Sequence, residues 1–315
     1  MNNKSTSNEL SSNSLSSKMS AAESMRSIIW RRFRRHPGAV AGSIVFGVLV
    51  LSIILVSFSP YDPETSDMPS RLQPPSWEHP FGTDPLGRDL LTRVLHGGRK
   101  SLSVGLMVTA FTLLIGIPVG ATSGYFGGRI DNVLMRITDT ALSLPPLFIL
   151  ILLMAILRET ELPLLRSNSV LTIALVIGLL GWVTMARLVR ATYLTIREQD
   201  FVMAARCLGA SNLRIMVRHI LPNSVGPIIV ESTLEIGYAI MGESGLSFLG
   251  FGIQPPTPSW GNLLSNAQQH MTKHPWLAIF PGLMIFLTII SINYIGDGLR
   301  DAMDPYKVLE EVGEV

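Results

Sequence analysis

Long apolar runs alternate with polar connections along most of this chain. Six runs approach the roughly 20 residues that a helix needs to cross a hydrocarbon layer about 30 Å thick. They lie at about 38–58, 101–124, 133–157, 170–190, 225–250 and 276–297. The fifth is the least apolar, because it contains Glu231, Glu235 and Glu243. The pattern predicts an all-α membrane protein with six transmembrane helices. Between the runs, Leu90, Leu91, Val94 and Leu95 share one face of a short helix. That helix is expected to lie along the outer membrane surface, within the connection 59–100. Prolines and glycines through 59–89 read as turns, and 251–262 reads as a rigid proline-rich connector. Trp260 and Trp276 are expected at the aromatic belt.

Composition agrees with a bilayer. Hydrophobic residues make up 47% of the 315 and charged residues only 15%, with a mean hydropathy of +0.38. Soluble domains carry about a quarter charged residues. The net charge of +2 gives no reason to expect nucleic acid as a partner. A single cysteine, Cys207, excludes an intrachain disulfide and a cysteine metal site. The Ser/Asn-rich start predicts a disordered tail over 1–25. The first apolar run begins too late for a signal peptide and lacks a cleavage site, so it is expected to remain as the first span.

Arginines set the orientation, because basic connections stay cytoplasmic. Arg26, Arg31, Arg32, Arg34 and Arg35 fill a basic segment, 26–37, before the first span. Arg187, Arg190, Arg197, Arg206, Arg214 and Arg218 surround the connection after the fourth. Connections 59–100, 158–169 and 251–275 have no such excess. Both termini and 191–222 are therefore expected inside, including a tail over 308–315. Gly105, Gly116, Pro118 and Gly120, with Pro145 and Pro146, suit close packing or kinking of helices in lipid.

The cytoplasmic connection carries the most informative stretch, "FVMAARCLGASNLRIMVRHILPN", residues 201–223. Its spacing predicts two short helices with a break at Gly209, Ala210 and Ser211, and a stop at Pro222. Ala204, Ala205 and Gly209 are small enough to let another surface approach closely. A helix–break–helix outside the membrane suits insertion into a partner's groove.

This stretch resembles the cytoplasmic "EAA" loop of ABC-importer permeases: Ala204, Ala205, Gly209, Leu221 and Pro222 match, while Met203 and His219 depart from the motif. The version with Gly-Ala-Ser and His-Ile-Leu-Pro-Asn is similar to the dipeptide/oligopeptide/nickel branch, C-type subunit. "HPFGTDPLGRD" (79–89), "LSFLGFGIQPPTPSWG" (246–261) and "GDGLRDAMDP" (296–305) resemble the same branch, so the likeness runs from about 26 to 307. It implies a type I importer fold with a coupling loop over 195–222. It also implies a homologous second permease, two cytosolic ATPase subunits, an extracytoplasmic binding protein, and an inner-membrane location among lipid. ATP and Mg²⁺ would then sit on partner subunits, with no cofactor on this chain. The coupling residues implied are Ala204, Ala205, Arg206, Gly209, Ser211, His219, Leu221 and Pro222. The cargo implied is a peptide, with nickel chelates or glutathione-like compounds as the alternative.

Other chemistry is weaker. "VLHGGRKS" (94–101) lacks Gly at the first and sixth positions of a phosphate-binding loop, since Val94 and Arg99 stand there. Intramembrane carboxylates are costly and are usually paired or functional. Glu231, Glu235 and Glu243 fall within one arc of a helix, so they line a translocation path for a cationic group, or else Glu231 and Glu235 are hydrated near the cytoplasmic end while Glu243 bonds to neighbouring helices. Asp139 is expected to pair with Arg136. His79, His96, His270 and His274 form no metal motif and read as solvated loop residues. An intramembrane enzyme is disfavoured because no apolar run holds a histidine. A channel is disfavoured because it needs no ATPase-docking loop.

Overall fold

A computed structural model describes residues 25–159 and 168–303. The expected tails lie outside these residues except for Met25, as does most of the connection 158–169. The described part is helical: α1 Met25–Arg35, α2 Pro37–Leu55, α3 Leu90–Phe126, α4 Gly128–Ser143 and α5 Pro146–Glu159. Then come α6 Ser169–Ile196, α7 Asp200–Cys207, α8 Asn212–Arg214, a π turn Ile215–Ile220 and α9 Leu221–Phe248. α10 Trp260–Ala267 and α11 Trp276–Met303 complete it. Among the described residues, four helical segments are long and apolar enough to cross a membrane: Pro37–Phe58, α3, α6 and α11. A fifth arises if α4 and Pro146–Leu157 of α5 count together, although they meet at 89°.

Several elements depart from the sequence pattern. The surface helix expected at Leu90–Leu95 is instead the first turns of α3, a single helix of 37 residues begun by Asp89, whose carboxylate caps Thr92 N. Leu90 and Val94 are buried, packed with Ile53 and Trp260, so protein rather than lipid covers them. Their face was read correctly as apolar, but apolarity does not say what covers it. "VLHGGRKS" is thus helical, and Gly97 and Gly98 make room for Ser259 and Trp260. The third span, expected over 133–157, divides at Leu144 and Pro145 because a proline disfavours helical backbone in the residue before it. Trp260 is not a belt residue: it is fully buried and donates from Nε1 to Val94 O at 2.9 Å. Trp276 is half-buried against Gly82 and His274.

The tightest packing joins α3 to α6. A Cβ on Gly116 would fall 2.8 Å from Met185, one on Gly120 2.4 Å from Ala186 O, and one on Gly124 2.7 Å from Arg190 O. Glycines four apart form a groove along α3 into which α6 lies, the small-residue packing expected in lipid. Gly105 does the same for Ile236 and Ile240 of α9.

The connection 59–89 is folded around charge. Asp84 accepts from the backbone of Leu86 and Arg88 and from the Arg88 guanidinium at 2.7 Å, with Arg93 at 3.4 Å. Arg93 Nη1 donates to Pro63 O at 2.5 Å. His79, expected to be solvated, is 2.9 Å from the Asp89 carboxylate. All of Asp84, Arg88, Asp89 and Arg93 are buried, so each needs these partners.

Candidate functional site

The stretch 200–222 sits where α3 and α6 end together. α6 closes at Arg197, whose Nη1 donates to Gly124 O at 3.0 Å and Tyr125 O at 3.3 Å, satisfying carbonyls at the end of α3. After an extended Gln199 the chain enters α7, with Asp200 in its first turn, where the helix dipole favours an acid. Val202 and Ala205 point inward and are buried among Ala121, Tyr125, Val189, Tyr193 and Ile215.

α7 ends in a Schellman turn. Gly209 N bonds Arg206 O at 3.0 Å and Ala210 N bonds Ala205 O at 3.1 Å. This requires a left-handed residue, and Gly209 supplies φ +79°. Ser211 then starts α8, and its carbonyl accepts from Ile215 N at 2.9 Å. Two tyrosines hold the back of this hairpin. Tyr125 Oη donates to Asn212 Oδ1 at 2.9 Å, and Tyr193 Oη to Met216 O at 3.0 Å. Arg206 is exposed, with its guanidinium carbon 6.0 Å from the Tyr125 ring centroid.

Several apolar side chains of the stretch are open. Phe201, Met203, Leu208, Leu213 and Val217 are all exposed, Leu208 at 88%. Ala204 is exposed among them, with Ser211 and Gly209 alongside. Ala205 belongs to the buried side, where it packs the hairpin from within. His219 and Leu221 are half-buried, and Leu221 packs on the inner cluster.

Pro222 does not stop the helix. The π turn Ile215–Ile220 runs directly into α9, and Pro222 lies in its first turn. A proline ring clashes with the carbonyl four residues back, and π winding relieves that crowding. The hairpin is therefore joined to α9 without a break.

Charged pairs brace the same end. Asp139, expected to pair with Arg136, instead meets Arg187 of α6 at 2.5 Å. Asp131 meets Arg190 and also accepts from Ser123 Oγ at 2.5 Å. The sequence reading missed Tyr125, Tyr193, Asp131, Arg190 and Arg197, because each acts across helices far apart in the chain. The one available signal was their clustering at the ends of two predicted spans.

The three glutamates of α9 are in different surroundings. Glu231 is half-buried. Glu235 is buried, and a Cβ on Gly181 would fall 2.5 Å from its Oε1 and 2.7 Å from Thr112 Oγ1. Gly181 thus leaves the notch that the carboxylate fills. Glu243 is wholly enclosed, accepting from Ser101 Oγ at 2.9 Å and Ser247 Oγ at 2.7 Å. Trp260 N donates to the same Ser101 hydroxyl at 3.3 Å. Glu243 therefore joins α3, α9 and α10 and has no open face toward a path, which fits the bonded alternative and not the path. Among the described residues no three His, Cys, Asp or Glu side chains gather as a metal site.

Comparison with known proteins places this architecture. Residues 116–307 match the family model for the binding-protein-dependent transport system inner membrane component. Residues 24–75 match the N-terminal TM domain of oligopeptide transport permease C. The chain is 39% identical to the oligopeptide transport system permease protein of Bacillus subtilis (strain 168), covering 87% of each. It is 41% identical to the dipeptide transport system permease protein of Alkalihalophilus pseudofirmus, covering 88% of each. It is 39% identical to the oligopeptide transport system permease protein of Mycobacterium bovis, covering 91% of this chain and 97% of that one. Among solved structures, the MetNI methionine ABC transporter in an inward-facing conformation superposes with a TM-score of 0.55 at 17% identity, over 67% of this chain and 97% of that one. That likeness is one of fold, and with the sequence relatives it gives a single conclusion: the chain belongs to the family of binding-protein-dependent transport system inner membrane components.

Proposed function

We propose that this chain is a transmembrane subunit of an importer that moves peptides across the inner membrane, driven by ATPase subunits that dock on the 200–217 hairpin. One observation carries the docking: five exposed apolar side chains, Phe201, Met203, Leu208, Leu213 and Val217, on a short segment that Tyr125 and Tyr193 tie to α3 and α6. Exposed apolar side chains on a short segment held against the body suit a groove in a partner. Oligopeptide and dipeptide permeases among the relatives support a peptide cargo over nickel chelates or glutathione-like compounds.

In this reading α9 is the fifth of six spans and both termini face the cytoplasm. A homologous second permease, two ATPase subunits holding ATP and Mg²⁺, and an extracytoplasmic binding protein complete the complex. Closure of the ATPase pair displaces the hairpin. The unbroken junction through the π turn carries that displacement into α9, and Tyr125 and Tyr193 carry it into α3 and α6. Such rigid-body switching is a common route to alternating access. Glu231 and Glu235 are the carboxylates we assign to the path, where they attract the cationic end of a peptide.

The test is a paired substitution, Leu208→Glu with Leu213→Glu, in the assembled transporter. Both side chains are exposed, so membrane insertion and thermal unfolding stay unchanged while ATPase retention and uptake of labelled peptide fall together. Undiminished uptake would sink the docking assignment.

A further inference from the structure

The first helix presents a second surface that the transport reading leaves unused. α1, "MRSIIWRRFRR", has no acidic residue, and a single residue, His36, separates it from the apolar α2. His36 ties the junction down. Its Nδ1 accepts from Ala39 N at 3.0 Å, capping α2, and its Nε2 lies 3.8 Å from the Asp301 carboxylate. Phe33 packs on α11, where a Cβ on Gly298 would fall 3.3 Å from its ring. α1 is thus fixed against the body at the level where the first span begins.

Its other face is exposed and basic. Arg31, Arg34 and Arg35 are exposed, and Trp30 is 56% exposed with the Arg34 guanidinium carbon 4.8 Å from its ring centroid. Tryptophan beside arginine is the composition that segments at the membrane–water boundary favour. The charge calls for an anion. The position beside the first turn of a span calls for one found at that boundary. The exposed indole calls for a neighbour that is apolar on one side and wet on the other. A phospholipid phosphate meets all three requirements, whereas a soluble anion or an acidic protein surface meets only the first.

We infer that the outward face of α1 binds the headgroup of anionic phospholipid, with Arg34 and Arg35 on the phosphate and Trp30 against the glycerol region. Nothing in this depends on the cargo or on which face of the membrane α1 occupies. It requires only that α2 spans the bilayer.

The experiment uses the full-length chain in nanodiscs of equimolar phosphatidylcholine and phosphatidylglycerol, released and counted for retained lipid by native mass spectrometry. Wild type is expected to retain phosphatidylglycerol over phosphatidylcholine by roughly tenfold, given the attraction of each juxtamembrane basic residue to an anionic surface. Arg34→Glu with Arg35→Glu brings the ratio near one, Arg34→Lys with Arg35→Lys keeps most of it, and added salt lowers it in wild type. If the charge reversal impairs folding, Arg34→Gln with Arg35→Gln takes its place, with the melting temperature as control. Parity in the wild type, or a preference undiminished in the reversed variant, overturns the inference. So does a reversed variant that loses a co-purified protein partner while keeping its phosphatidylglycerol.

Discussion

Arg190 of α6 grips Asp131 of α4 edge to edge, with Nε to Oδ1 at 2.5 Å and Nη2 to Oδ2 at 2.6 Å. A planar guanidinium facing a carboxylate in this way forms the stronger class of ion pair. The neighbouring pair, Arg187 with Asp139, makes one such bond and is more exposed. A double-mutant cycle with Asp131→Asn and Arg190→Gln is expected to give a coupling of about 1–2 kcal/mol by thermal denaturation in detergent. The Asp139–Arg187 cycle is expected to stay below about 0.5 kcal/mol. Equal couplings would show that geometry does not rank the two pairs.

The groove of α3 makes a second prediction. At Gly120 even a methyl group meets backbone, 2.4 Å from Ala186 O, and backbone cannot rotate aside. Gly120→Ala is expected to destabilise by about 1–3 kcal/mol, the usual cost of overpacking. Gly47→Ala on α2 has nothing within 4 Å and is expected to be neutral or mildly stabilising. Melting temperatures of the two variants decide the matter.

Gly209 separates conformation from contact. Its φ of +79° disfavours any side chain, yet nothing lies within 4 Å. Gly209→Asn, which tolerates the left-handed region, is expected to retain more uptake than Gly209→Val, although asparagine and valine are similar in bulk. Were only bulk to matter, the two variants would behave alike. Gly209→Trp changes both properties at once and so tests neither cleanly.

Glu243 and Glu231 should fail in different ways. Glu243→Ala removes the acceptor of two buried hydroxyls and leaves a cavity, so a loss of about 2–4 kcal/mol in stability is expected. Glu231→Gln is expected to leave the melting temperature alone and to lower uptake of cationic peptides in the assembled transporter. A Glu231→Gln variant with unchanged uptake would remove that residue from the path.

Local chemistry was readable in the chain, and partnership across the chain was not. The break at Gly209 was legible because a glycine at the end of an amphipathic run offers the left-handed residue that closes a helix. The cost of Glu243 in an apolar run was legible too, but its partner Ser101 is 142 residues away and carries no mark of the pairing. Asp139 had a plausible neighbour one turn away, and packing supplied Arg187 instead. Pro222 reads as a stop in any helix pattern, because a change to π winding leaves no signature in residue types. The run at 133–157 shows Pro145 and Pro146 plainly, but not that the chain turns by 89° there.

The length of α3 has a mechanical consequence. Its 37 residues at 1.5 Å each give about 55 Å, well beyond a hydrocarbon layer of about 30 Å. One end packs against the Asp84 charge network and Trp260, and the other is tied by Arg197 to the end of α6 and by Tyr125 to the hairpin. A load applied at the Asp84 end therefore reaches the hairpin along one continuous strut. In such a linkage, delay and loss are set by the stiffness of a single helix and not by a chain of loose joints.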